Sequence, residues 1–204
     1  MNKTRKGIKH KIMDNNKQSK KSLHVFTKKH YKSGDGMLTY VWGPPMWHFL
    51  HTMSFNYPVS PTAQQKRQYR AFILSLQYVL PCGKCRLNLT KNLKKMPLTM
   101  KELENRHTFS LYMYRLHELV NKMLNKKSGL SYEDVRERYE HFRARCLQPS
   151  SAVEVNGEQN KKVDEKGCTE PLYGTKSKCL LKIVPLDTKC NTMEIDNQCM
   201  KYKA

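Results

Sequence analysis

Acidic residues are scarce in this chain. Its 204 residues hold 17 Asp and Glu against 38 Lys and Arg, giving a formal net charge of +21 and a pI of about 9.7. That balance favours contact with an acidic partner or an anionic membrane surface. A run of about 18 apolar residues is also missing, so no transmembrane helix is expected. The basic N-terminus is not followed by an apolar core, so no secretory signal peptide is expected either. It is acid-poor in the manner of a transit peptide, but its Lys bias and single Arg5 read better as a solvated basic tail. An even cysteine count is lacking too. The seven cysteines stand at 82, 85, 146, 168, 179, 190 and 199, which argues against a simple secreted disulfide scaffold and suits cysteines that carry chemistry. Residues 42–146 show no two-residue alternation, so strands are not expected there.

The charge is unevenly spread. Residues 1–41 carry 11 bases against two acids, residues 42–146 carry 18 against seven, and residues 147–204 carry nine against eight. Residues 1–40 read as a basic tail ending in the hinge Ser33-Gly34-Asp35-Gly36. Residues 41–146 then read as a helical domain. Pro44 and Pro45 suit a first helical turn, with Trp47, Leu50, His51, Ser54 and Tyr57 on one face. Ser60-Pro61 reads as the cap and first residue of a second helix, whose apolar face is Tyr69, Phe72, Ile73, Leu76, Val79 and Leu80. Pro81 stops it. A third helix is expected over 82–93. A fourth is expected over about 108–125, with Phe109, Met113, Leu116, Val120 and Met123 as its buried stripe. Ser131-Tyr132-Glu133-Asp134 resembles a capping box for a fifth. The fold expected is all-α, a four-helix bundle with a short fifth helix. Residues 147–204 form a linker and a cysteine-containing segment of unassigned fold, with one candidate strand at Leu180-Leu181-Lys182-Ile183-Val184.

The chemistry centres on Pro81-Cys82-Gly83-Lys84-Cys85. Two cysteines separated by two residues close a small, readily exchanged disulfide. Three readings compete. A structural zinc site needs four ligands, and the helical domain offers only Cys146 besides this pair. A thioredoxin-type site follows a strand, and the run Phe72–Leu80 is helical instead. A flavin-linked redox pair is the third reading, and it has a physical rationale. At a helix start, the cysteines meet free N–H groups and the positive dipole end, and Lys84 and Arg86 favour a thiolate further. Trp47 and His51, one turn apart, and His117 and Asn121, again four apart, offer flat and polar side chains at helical spacing. Each of these also reads as an ordinary core aromatic or hydrogen-bonded histidine.

The strings Trp42-Gly43-Pro44-Pro45-Met46-Trp47-His48-Phe49-Leu50-His51-Thr52, Tyr57-Pro58, Pro81-Cys82-Gly83-Lys84-Cys85 and His117-Glu118-Leu119-Val120-Asn121 together resemble the Erv-type, augmenter-of-liver-regeneration-like FAD-dependent sulfhydryl oxidases. Leu130–Arg136 and Arg143-Ala144-Arg145-Cys146 look most like members from large cytoplasmic DNA viruses. The resemblance spans roughly residues 41–146. It implies a helical bundle that binds FAD, with Gly43, Trp47, His51 and Tyr57 near the flavin. His117 and Asn121 would face the adenine and ribose, with Lys126 at the phosphates. Tyr139 falls near a position where cellular relatives carry a flavin-contacting Trp. Cys85 would be the sulfur beside the flavin and Cys82 the one open to substrate. The family's structural disulfide has its first cysteine near Ser131 here, leaving Cys146 without that partner.

The function implied is oxidation of protein dithiols to disulfides, with electrons passing from Cys82 and Cys85 to FAD and then to O2, giving H2O2. Protein dithiols are the substrates, a thioredoxin-like relay protein among them, and a homodimer through the first helices is implied. The location implied is the host cytoplasm or virion, with the mitochondrial intermembrane space as the alternative. Cys168, Cys179, Cys190 and Cys199 are open to tail disulfides, an electron shuttle or a zinc site. A competing class is a non-enzymatic basic protein whose cysteines hold zinc and whose tail binds nucleic acid. The tail lacks interleaved aromatics and any recognition motif, so a solvated or targeting role is preferred for it.

Overall fold

The computed structural model describes residues 26–145, 168–180, 184–185, 187–188 and 194–202. The chain divides into two units, Met1–Asp35 and Gly36–Ala204. In the first, one short helix, α1 (Lys28–Tyr31), is capped by Thr27, whose hydroxyl accepts from His30 N–H, and it buries no residue.

The second unit is helical: α2 (Thr39–Phe55), α3 (Ala63–Val79), α4 (Gly83–Lys95), α5 (Arg106–Met123) and α6 (Tyr132–Glu140), with one 3-10 turn at Asn197–Cys199. Among the described residues there is no strand, only an isolated antiparallel bridge between Ala144 and Pro171. No helix among the described residues is long and apolar enough to cross a membrane. The expected bundle of four helices and a short fifth is therefore what these residues form. α2 packs on α5 and α6, and α3 packs on α4.

Helix ends are set by side chains that satisfy the free N–H groups of the first turn. Asn105 caps α5 and exchanges hydrogen bonds with Thr108, and Ser131 does the same with Asp134 at α6, as the capping-box reading of 131–134 anticipated. Two expected starts are corrected. α3 is capped by Thr62, with Gln65 returning the bond, rather than by Ser60; Thr62 can be bonded reciprocally by a residue three along, and Ser60 faces Ala63 there. α2 starts at Thr39, so Pro44 and Pro45 lie inside the helix rather than in its first turn. Their missing N–H groups leave the Tyr40 and Val41 carbonyls without helical donors. Gly43, lacking a Cβ, relieves the crowding that a proline imposes on the residue before it; a Cβ at that position would meet nothing closer than Thr39 Cγ2 at 3.7 Å.

The main core gathers Leu50, Ile73, Leu76, Leu89, Phe109, Met113 and Leu116, sealed by the fully buried Leu103 and nearly buried Leu98 from the α4–α5 connection. A smaller cluster of Phe55, Val135 and Tyr139 fixes α6 to α2. Three expected core positions are solvent-facing: Phe72 and Val79 on α3 and Met123 at the end of α5. The α3 stripe is wider than the surface α4 covers, and Met123 stands in the last turn of α5, past the partly buried Val120.

The C-terminal segment is tied to the bundle by two backbone bonds, Arg145 N–H to Glu170 C=O and Leu172 N–H to Arg143 C=O, both 2.8 Å. Cys168 is disulfide-bonded, which removes it from a four-cysteine zinc set, while Cys179 and Cys199 are free thiols. Cys146 and Cys190 lie outside the described residues, as do residues 181–183 of the expected strand; Leu180 and Val184 carry no regular structure.

Candidate active site

Cys82 and Cys85 form a disulfide. Local sequence builds this loop. Pro81 cannot continue α3, and Cys82 takes extended backbone geometry as the N-cap of α4, its sulfur accepting from Cys85 N–H at 3.2 Å. The sulfur thereby occupies the place where serine or aspartate oxygens usually sit, at the positive end of a 13-residue helix. Both cysteines are half-buried, and Lys84 between them is exposed. Arg86 donates to Leu80 C=O across the loop.

The start of α2 lies over this loop. Met37 N–H donates to Pro81 C=O at 2.8 Å, and Trp42 Nε1–H donates back to Met37 C=O at 3.1 Å. Thr39 Oγ1 stands 3.9 Å from Cys85 Sγ. Gly36 is required here: a Cβ would come within 2.9 Å of Pro81 O and 3.2 Å of Cys82 Cα, both backbone atoms that cannot yield cheaply.

Further along the same helix, Trp47, His48 and His51 meet His117 of α5 and Tyr139 of α6. The Trp47 and His117 rings are stacked 4.0 Å apart and 6° from parallel, too close for a third ring between them. His51 Nε2 and His117 Nδ1 are 2.9 Å apart, and His48 Nδ1 is 3.2 Å from Tyr139 Oη. His51 is 4 % exposed, and its Nδ1 has no partner. Burial, reinforced by the charges that His117 and His48 would carry, pushes His51 down to about 3. Burial likewise pushes His117 down to about 4, against the opposing pull of Glu118. Both rings are therefore neutral at pH 7. One donates its single proton to the other, so His51 Nδ1 is either a bare acceptor or an unused donor. Burial raises the Tyr139 phenol above its ordinary value, so it stays protonated and can donate to His48.

One turn beyond His117, Asn121 Nδ2 donates to Glu118 Oε1 at 2.9 Å, so Glu118 is engaged rather than merely solvated. Lys126 is exposed and lies in a groove of about 1180 Å³ with Lys95, Arg115, Lys122 and Lys127. Thr39 touches Cys85, while Trp47 and His51 lie eight and twelve residues further along α2. At about 1.5 Å per residue, that is roughly 12 and 18 Å of helix axis. The helix thus carries the disulfide contact at one end and the ring cluster in its middle.

The structure brings together Cys82 and Cys85, and separately Trp47, His51, His117 and Tyr139. Tyr57, expected near the flavin, is fully buried: its hydroxyl donates to Leu103 C=O at 2.9 Å, and its ring packs on Tyr69 and Phe109. In this structure it packs as a core residue, apart from the ring cluster. Sequence reasoning passed over His48 and Thr39 and read Gly36 only as part of a hinge. His48 lies inside the Trp47–His51 motif and could have been found there; Thr39 and Gly36 carry no signal short of the folded contact.

Residues 44–140 match the model of the Erv1 / Alr family. A protein of Acanthamoeba polyphaga mimivirus, named a probable FAD-linked sulfhydryl oxidase, is 39 % identical over 99 residues, covering 48 % of this chain and 68 % of its own length. The chain belongs to the Erv1/Alr family. A second family member, the FAD-linked sulfhydryl oxidase of African swine fever virus isolate Pig/Kenya/KEN-50/1950, is 34 % identical over 99 residues, or 48 % of this chain and 80 % of that one. Among solved structures, the yeast Erv1 core superposes with a TM-score of 0.46 at 25 % identity, covering 57 % of this chain and 95 % of that chain.

Proposed function

We propose that this Erv1/Alr-family chain is an FAD-linked sulfhydryl oxidase that makes disulfides in protein dithiols, with residues 41–146 as its catalytic domain. The observation that carries the reading is the Cys82–Cys85 disulfide at the N-terminus of α4, touched by the helix that holds the ring cluster. The cluster suits a flat, polar-edged heterocycle. His51 Nδ1 is a buried polar atom with no protein partner, and such atoms usually find one. Trp47, His51, His117 and Tyr139 would hold FAD, with Gly43 and Asn121 beside them and Lys126 neutralising phosphate charge from the groove. Bound FAD supplies a two-electron acceptor that O2 reoxidises, giving H2O2.

The protein's own part is thiol–disulfide exchange. A substrate thiolate attacks Cys82 Sγ; the Cys82–Cys85 bond breaks, a mixed disulfide forms, and Cys85 leaves as thiolate. The substrate's second thiolate then attacks the mixed disulfide, releasing oxidised substrate and Cys82 thiolate. Two electrons have entered the pair. The dipole of α4 and the Cys85 N–H stabilise the Cys82 anion, and the Thr39 hydroxyl can donate to the Cys85 anion. Lys84 and Arg86 add positive potential to both.

A homodimer through the first helices is supported by Phe49 and Phe72, exposed apolar residues of α2 and α3 that pack edge to face 6.2 Å apart. Viral relatives support a host-cytoplasm or virion location, where a dedicated oxidase would be needed because the surroundings are reducing. A thioredoxin-like relay protein fits as one of its substrates. The test is Cys85→Ala. The purified variant is expected to keep its yellow cofactor and to consume no oxygen with dithiothreitol. Undiminished turnover in that variant overturns the assignment.

A further inference from the structure

Residues 36–101, which build α2, α3 and α4, contain nine Lys and Arg and no Asp or Glu. All seven acids of residues 42–146 fall within 102–140, on the α4–α5 connection, α5 and α6. The ion pairs among the described residues, Arg136–Glu133 and Arg143–Glu140, lie on α6 and the turn after it. Among the described residues no ion pair engages Lys84, between the two cysteines, and Arg86 is held by a carbonyl rather than a carboxylate. Around them stand large apolar side chains open to solvent: Met37, 70 % exposed, on the segment bonded to Pro81; Tyr78 and Val79, 74 % and 66 % exposed, in the last turn of α3; and Leu87, 66 % exposed, two residues after Cys85. The disulfide thus opens beside a rim of exposed apolar side chains in a stretch, residues 36–101, that carries bases and no acid, with Asp35 the one acid next to it in sequence at its N-terminal end.

We infer that this rim is the docking surface for substrate and that it selects cysteine-bearing protein segments with acidic residues beside the thiol. The inference rests on the exchange reading above, because an occupant of this surface must bring a thiol to Cys82. Nucleic acid would answer the charge but has no thiol to exchange. An acidic segment meets Lys84 and Arg86 while its apolar side chains cover the rim, and the positive potential concentrates it before contact. A basic segment is repelled in the same encounter. The selectivity is set at binding, so it belongs in KM and association rather than in kcat.

The experiment uses the full chain loaded with FAD and two dithiol peptides that differ only in having Asp/Glu or Lys/Arg flanking the cysteines, with dithiothreitol as an uncharged substrate. Thiol loss in air gives kcat and KM at low and raised salt. The acidic peptide is expected to win by about tenfold in kcat/KM at low ionic strength, through KM, shrinking to roughly twofold once screening is strong. Lys84→Glu is expected to lower the acidic-to-basic ratio, a quotient in which any general effect of Lys84 on the thiols cancels. Equal rates for the two peptides, a preference for the basic one, or a ratio unmoved by salt and by Lys84→Glu would overturn the inference. So would a single-stranded oligonucleotide that blocks both peptides equally while no charge preference appears, which reassigns the surface to nucleic acid. Failure to oxidise dithiothreitol as well defeats the oxidase reading itself, and is told apart by that control.

Discussion

The paired histidines make acid sensitivity a consequence of the ring cluster. His51 and His117 are held near 3 and 4 when folded, against an ordinary 6.5. Because the folded values are depressed, the unfolded chain binds protons that the native chain refuses. Stability is therefore full above about pH 6.5 and lost as pH falls below it, continuing until the folded values are reached. Between pH 7 and pH 5 each histidine costs about 2 kcal/mol, so the pair costs roughly 4 kcal/mol. Glu140, whose carboxyl is held low by its hydrogen bonds from Arg143, and Glu102 and Asp134, held low by Thr99 and Ser131, lose their contributions only further into the acid range. The window from pH 7 to 5 thus reports mainly histidine. Urea denaturation at fixed FAD concentration, repeated at several pH values in that window, measures the slope; FAD is fixed because a bound ligand adds its own stabilisation. His117→Phe keeps a flat ring against Trp47 and removes one titrating partner, so it should lower the slope and leave the share of His51 and of His48, which burial also depresses. A stability that is flat or rises on acidification, or a variant with the wild-type slope, would refute the claim that these rings are buried and neutral.

Two further outcomes follow from the same contacts. Gly36→Ala should push the start of α2 off the redox loop, because its Cβ would lie 2.9 Å from Pro81 O. We expect a loss of about 1–3 kcal/mol in urea denaturation and a shifted reduction potential of the Cys82–Cys85 pair on redox titration. Tyr57→Phe deletes a buried donor and leaves the Leu103 carbonyl unpaired. It should cost about 1–3 kcal/mol in the same denaturation assay while leaving the flavin spectrum unchanged, because Tyr57 belongs to the core.

Much of this molecule could be read before it was folded, and the misses have physical causes. The amphipathic runs Tyr69–Leu76 and Phe109–Leu116 give their helices away because burial on one face imposes a 3.6-residue period. Cys82 and Cys85 were legible because Pro81 ends one helix and the pair begins another. The true start of α2 was hidden: prolines usually mark a first turn, and only the bond from Met37 to Pro81 and the contact of Thr39 with Cys85 explain why the helix begins earlier. Tyr57 shares a face with Leu50 and Ser54 on a helical wheel, but α2 ends at Phe55, and the turn that follows carries Tyr57 into the core. Val79 and Met123 continue their stripes past the point where a neighbouring helix covers them, which periodicity alone cannot reveal. The meeting of His51, His117 and Tyr139 is tertiary, and no local pattern encodes it.

The central claim is that electrons from a dithiol pass through the α4 disulfide to a flavin held by the ring cluster. Anaerobic titration of the purified holoprotein with dithiothreitol, followed at the flavin band near ~450 nm, tests it most directly. The band is expected to bleach with about one to two dithiols per flavin, because the disulfide and the flavin each take two electrons, and to return on admission of air, with peroxide formed. A band that stays unbleached while Cys82–Cys85 is shown to be reduced, or a holoprotein that carries no such band, would contradict it.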